Sequence, residues 1–207
     1  MRAVEDGCCN LSYMDAMTIS VALGFAAGVV HLVGYWVYNR GAGKNINTGS
    51  WSIWAFAGVI DFASFFALTG DWVVSILPAA CALAAIGTFC YAIVRKCFSW
   101  PDKVDWLFVG VDVAITVVWI YTSAVLANLL YQASAFLSFV PMYRGLLSGK
   151  EKERLLPWLI WTVAYVLLTA SVSLRLERWE ELAYPVTHAA LHAAVVLIAT
   201  VKLRPAR

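Results

Sequence analysis

Charge is what this sequence has least of. Its 207 residues carry 15 Lys and Arg against 13 Asp and Glu, 14% of the chain, while 62% is hydrophobic. That balance leaves too little polar surface to coat a water-soluble globule, so the solvent to consider is the bilayer. Strand-like alternation punctuated by turn signals is missing too, which excludes a membrane barrel and leaves helices, because lipid cannot satisfy free backbone groups. No His-Glu-x-x-His, Gly-x-Ser-x-Gly or Walker loop occurs, so hydrolase and ATPase chemistry has no starting residue and no enzyme is expected. The last apolar run holds no internal lysine, Lys202 being at its end, which excludes a retinal Schiff base. Residues 1 to 15 contain Arg2, Glu5, Asp6 and Asp15 but no separate apolar core, so no cleavable signal peptide is read. Five cysteines give no disulfide framework, since Cys81 and Cys90 fall inside an apolar run and Cys97 at its end, leaving only Cys8 and Cys9 on the expected outer side. The triplet Asn10, Leu11, Ser12 matches a glycosylation sequon, a short motif that matters only in a secretory pathway.

What is there is a series of apolar runs, each near the roughly 20 residues a membrane span needs: 16 to 38, 51 to 68, 73 to 94, 104 to 121, 123 to 143, 155 to 173 and 182 to 202. The fourth carries Asp105 and Asp112 and is the weakest. Basic residues test the count. With seven spans, twelve of the 15 fall on one face (Arg40 and Lys44; Arg95, Lys96 and Lys103; Arg144, Lys150, Lys152 and Arg154; Lys202, Arg204 and Arg207) and three, Arg2, Arg175 and Arg178, on the other. Omitting the fourth span scrambles this bias. The positive-inside rule then puts the N-terminus outside and the C-terminus in the cytoplasm of a cell or inner membrane. The net charge of +2 is therefore a topology signal, with no nucleic acid as partner.

Tryptophan and proline recur at a fixed offset of 107 residues: Trp51 with Trp158, Trp54 with Trp161, Trp72 with Trp179, Pro78 with Pro185. These are the least interchangeable residues of an apolar helix, so their coincidence marks a tandem duplication. An offset of 105 aligns Leu32 and Tyr38 with Leu137 and Tyr143, the difference falling in loops. The expected fold is thus all-α and integral to the membrane, with seven helices arranged as two parallel three-helix repeats joined by a linker helix. Its parts are an outer segment 1–15, a first repeat 16–94, a linker loop and helix 95–122, a second repeat 123–202 and a cytoplasmic tail 203–207.

The run Ser138, Phe139, Val140, Pro141, Met142, Tyr143, Arg144, leading through Gly149 to Pro157, Trp158, Leu159, Ile160, Trp161, resembles a PQ-loop helix end, its basic loop and the following helix. Across nearly its whole length the chain is similar to the PQ-loop/SWEET superfamily, with the nicotinamide riboside transporters of the PnuC type as close cousins. The name-giving dipeptide is replaced by Pro141-Met142. The Pro-Asn pairs that hold sugar in SWEETs are replaced by Pro78-Ala79 and Pro185-Val186. The resemblance therefore implies the fold and transport of a small polar solute, vitamin-, sugar- or amino-acid-like, with the sugar-binding amides missing. A KDEL-receptor-like protein that binds without transporting is the alternative on the same fold.

Ionisable residues inside a span cost enough to need a hydrated, paired or interior position. Asp61 lies mid-span opposite Leu168 in the repeat, and reads either as a proton-titrating or substrate-anchoring carboxylate or as a packed, hydrogen-bonded acid. Asp112, on the linker helix, is read as a packing residue away from the solute path. His188 and His192, four apart on one helix face, stand where the first repeat has Cys81 and Ala85. They are candidates for proton coupling with Asp61, for substrate contact, or, with His31, for haem or metal ligation as a further alternative. Asn128 and Gln132 on the fifth span, and Tyr165 and Thr169 on the sixth, supply donors and acceptors able to replace a solute's water. Trp158 and Trp161, like Trp51 and Trp54, read first as an interfacial belt and alternatively as platforms for an aromatic solute. Gly24 and Gly28 form a small-xxx-small packing pair. Pro78, Pro141 and Pro185 are hinge candidates because each removes a backbone hydrogen bond. No cofactor is called for, the bilayer and a small solute are the expected partners, and homo-oligomer formation is left open.

Overall fold

A computed structural model describes residues 2–42, 48–95, 103–149 and 153–203, without the side chains of residues 2–13, 42, 48–50, 104, 105, 141, 202 and 203. Cys8, Cys9, the Asn10 sequon, Lys44, Lys96, Cys97, Asp105, the Pro141 ring, Lys150, Lys152, Lys202, Arg204 and Arg207 therefore lie outside the described residues or side chains.

The described chain is all helix, with seven α-helices: α1 Arg2–Ala42, α2 Thr48–Thr69, α3 Trp72–Val94, α4 Lys103–Ile120, α5 Ala124–Ser148, α6 Leu155–Ser173 and α7 Ala183–Leu203. A single 3₁₀ turn, Trp179–Leu182, leads into α7. Six of the helices are long and apolar enough to cross a membrane. In α4 the described apolar stretch, Trp106–Ile120, is shorter, while the whole helix has 18 residues, about 27 Å and at the lower end of what a span needs. Sequence led to seven spans; the structure supports six by length and composition. Helix α1 is 41 residues long and begins at Arg2, so the outer segment read from sequence is continuous with the first span.

The termini of these helices are set by local chemistry. Gly70 takes φ +63° after α2, a left-handed conformation open to glycine, and Asp71 then caps α3 by accepting from the Val73 amide at 2.7 Å. Ser123 caps α5 in the same way through Leu126, and Gly149 ends it at φ +73°.

The packing order makes a closed ring: α1 on α3, α3 on α2, α2 on α5, α5 on α7, α7 on α6, and α6 back on α1, with α4 lying outside against α2 and α5. Polarity is inverted relative to a soluble protein. Phe25, Val29, Leu83, Val94 and Leu197 face outward, while His31, Asp61, Ser64, Asp112, Asn128 and Gln132 are buried. That distribution buries polar groups among helices and leaves apolar ones to lipid. Close approach in the ring depends on the glycine pair of α1. A methyl at Gly24 would lie 2.7 Å from Val73 Cγ1, and one at Gly28 would lie 2.6 Å from Ile76 Cγ2, so α3 occupies the space those side chains would need.

Candidate functional site: a polar and aromatic cavity inside the ring

All seven helices contribute to a cavity of about 60 Å³ among the ring helices. At ~10–15 Å³ of such space per water, it has room for roughly four to six. One part of its wall is polar and the other aromatic.

The polar part centres on Asp61 of α2, which is only 6% exposed. Its Oδ1 accepts from Gln132 Nε2 of α5 at 3.2 Å, and its Oδ2 lies 3.5 Å from His188 Nε2 of α7, an ion-pair distance that is long for a hydrogen bond. His188 stacks on the Tyr165 ring of α6, with centroids 5.0 Å apart and planes 17° from parallel, and lies 4.6 Å from Tyr184. One turn on, His192 Nδ1 is 2.7 Å from the His188 carbonyl. A carbonyl only accepts, so Nδ1 of His192 carries the proton and its Nε2 is left as an acceptor. His31 of α1 is 1% exposed, and neither of its ring nitrogens has a partner. Buried polar atoms are nearly always paired, so an imidazole left this way beside a cavity is directed at whatever fills it.

Asp112 belongs to this wall as well. Sequence read it as a packing residue, and it does pack, accepting from Ser134 Oγ of α5 at 2.5 Å, but α4 lies against α2 and α5 so that Asp112 also borders the cavity. Tyr131 donates to the Asp112 backbone carbonyl at 3.2 Å and meets Thr116 Oγ1 at 2.5 Å, which fastens α4 to α5 behind the carboxylate.

The aromatic part is built from two Trp-x-x-Trp segments. Trp51, Trp158 and Trp161 are each no more than 2% exposed, and Trp54, half-buried, borders the cavity with its indole N–H unpartnered. The belt reading is thereby corrected for all four, which point inward. Trp72 and Trp179, exposed at 65% and 66%, face outward, as do Trp36 and Trp106. Phe139 fills the space between Trp54 and Trp158, and His192 sits 5.4 Å from Trp158. Trp161 donates to the His31 carbonyl at 3.2 Å. On the opposite side of the polar residues, Phe65, Leu77, Leu168 and Val172 form an apolar layer. Beyond it Arg175 pairs with Asp71, and Arg178 donates to the Leu68 carbonyl, joining the α2–α3 turn to the α6–α7 turn. A second recess, of about 350 Å³, lies at this end beside Asp71, Arg175 and Glu181.

Of the residues singled out from sequence, Asp61, Trp158, Trp161, Tyr165, His188, His192 and His31 line the cavity. Gln132 stands behind Asp61 with its carbonyl oxygen unpartnered, and Asn128 is fully buried off the cavity with both amide atoms unpartnered. Thr169 is turned away, its hydroxyl donating to the Tyr165 carbonyl of its own helix at 2.8 Å. Among the prolines, Pro78 interrupts α3 in its interior. Pro185 lies in the first turn of α7, where its amide would have no helical partner in any case, so the argument from a lost bond does not apply to it. The α5 backbone stays helical through Pro141. The three histidines share one cavity, yet no group of three His, Cys, Asp or Glu among the described residues is placed to hold a metal ion.

Tyr35, Tyr184, Ser134 and Phe139 line the cavity without having been singled out. The duplicated Trp-x-x-Trp carried a usable signal: a belt needs tryptophan only at a depth, whereas keeping two at one helical spacing in both halves fixes a face. Compared with protein-family models, with curated proteins and with solved structures, the chain matches none.

Proposed function

We propose that this chain is a membrane transporter or facilitator of a small polar solute, built as two like-oriented three-helix bundles, α1–α3 and α5–α7, with α4 as the joint. The resemblance to the PQ-loop/SWEET superfamily belongs to this proposal. Exchanging α1 with α5, α2 with α6 and α3 with α7 leaves the ring order unchanged, which is what a parallel repeat about the membrane normal requires. The tryptophan pairs agree: Trp51–Trp54 and Trp158–Trp161 each have centroids 5.1 Å apart and planes at 84°. The basic-residue bias supports an outer N-terminus and a cytoplasmic C-terminus.

The single observation that carries the transport reading is the cavity where the two bundles meet. Its polar groups are buried among the helices, and parallel-repeat carriers bind solute at such a repeat interface and rock around it. Asp61 and His188 come from different bundles, so the contact between them changes when one bundle moves against the other. A proton shared by such a pair couples naturally to that motion.

The experiment begins with a thermal-shift screen of the detergent-purified protein for solutes that stabilise it, followed by flux of the hit into proteoliposomes under imposed pH gradients. Flux that responds to the gradient is expected, and Asp61→Asn should remove that response while leaving solute exchange. Wild-type flux indifferent to pH would end the coupling idea. Saturable binding with no flux under any gradient would replace the transporter with a receptor.

A further inference from the structure

We infer that the solute is a small organic cation, and that Asp112 on α4 is one of two carboxylates that select it. This rests on the solute-site reading of the same cavity.

Asp61 and Asp112 both border the cavity, and among the described residues no Lys or Arg does. Each carboxylate is buried, Asp61 at 6% and Asp112 at 2% exposure. A carboxylate taken out of water is stable only when a positive charge or a sufficient set of donors accompanies it. Among the described residues Ser134 donates to the Asp112 side chain, and Asp61 has Gln132 and a histidine at 3.5 Å. The wall is thus short of positive charge.

The remainder of the wall suits a cation equally well. Indole faces attract cations more strongly than other aromatic rings do, and Trp54, Trp158 and Trp161 border the same space as the two carboxylates. His31, buried with both ring nitrogens unpartnered, offers as a neutral imidazole an acceptor for a solute N–H. The space itself sets the size. Four to six waters correspond to about 120–180 Å³ of liquid, enough for an alkylated ammonium or a guanidinium.

Two isosteric pairs test this on the full-length purified protein: choline against 3,3-dimethylbutan-1-ol, and methylguanidinium against methylurea, read by thermal shift. At least one cation should raise the melting temperature with an apparent affinity ten-fold or more above its neutral partner. Asp112→Asn should weaken that cation at least ten-fold, and Trp54→Leu, which leaves both carboxylates in place, should weaken it several-fold and serves should Asp112→Asn fail to fold. Equal binding of charged and neutral partners, no binding of either cation, or unaltered cation affinity in the variants would overturn the inference. If a neutral solute is bound and carried, transport stands and cation selection falls; if the cations bind but never cross, selection stands and transport falls.

Discussion

Gly34 holds Trp161 where it is. A methyl group there would collide with the Trp161 indole nitrogen, which already donates to the His31 carbonyl one turn earlier on the same helix. Gly34→Ala should therefore cost about 1–3 kcal/mol through overpacking and loss of that bond, read as a lower melting temperature in detergent. Gly87 on α3 is the matched control: a methyl there meets nothing within 4 Å, so Gly87→Ala should melt at or slightly above the wild-type temperature, given alanine's better helix propensity. If the two variants melt alike, the Gly34 contact does not position Trp161. Spacing revealed Gly24 and Gly28 because they lie four apart on one face. Gly34 is six residues further on and follows no such pattern, since the partner it accommodates comes from α6. Thr169 illustrates the opposite difficulty: the side-chain chemistry was visible, but a hydroxyl in an apolar helix bonds readily to the carbonyl of the preceding turn, and nothing in the sequence tells that use from a solute contact.

The α2–α3 turn depends on one carboxylate doing two things. Asp71 Oδ1 caps α3 through the Val73 amide while its Oδ2 pairs with Arg175, whose Nε also donates to Ser20 Oγ at 2.7 Å. Asparagine keeps the cap and loses the charge, whereas alanine loses both. Asp71→Asn should thus be destabilised by about 1–3 kcal/mol for an ion pair that is largely but not wholly buried, and Asp71→Ala by roughly 1 kcal/mol more. Unfolding of both variants, each alone and combined with Arg175→Ala, checks the partition: the asparagine effect should shrink once Arg175 is gone, and purely additive effects would show that the pair is energetically silent. The long helices were legible because lipid leaves the backbone no alternative over a long apolar run. The facing of α4 was not. Which side of an apolar helix meets its neighbours depends on where those neighbours lie, so Asp112 looked peripheral until α4 was found against α2 and α5.

The ring as a whole predicts how the protein should respond to being fastened across its middle. Ser20 of α1 and Ser171 of α6 have hydroxyl oxygens 3.0 Å apart, and each also donates to the other's carbonyl at 2.7 Å. In the proposed mechanism these helices belong to different bundles. A Ser20→Cys/Ser171→Cys pair, in a background lacking the native cysteines, should form a disulfide on oxidation, stop flux and release it on reduction. Undiminished flux in the oxidised protein would rule out rocking of one bundle against the other at this contact. Orientation is testable separately: reporters fused to the two termini should be read on opposite sides of the membrane, the C-terminal one in the cytoplasm. The duplication could be seen in sequence because tryptophan and proline tolerate so little exchange. The polar part of the cavity draws on residues in which the halves differ, Asp61 standing opposite leucine and His188 opposite Cys81, so comparing one half with the other could point to its tryptophans but not to these.

Four of the protein's ten tryptophans border the place where a solute would sit, while Trp36, Trp72, Trp106 and Trp179 look outward to the surroundings. The molecule is for that reason equipped with its own optical gauge. Ultraviolet emission from the inner indoles should dim or change colour as the chamber fills and empties, and light from the outer indoles supplies a steady reference, so occupancy can be followed in real time without attaching a dye.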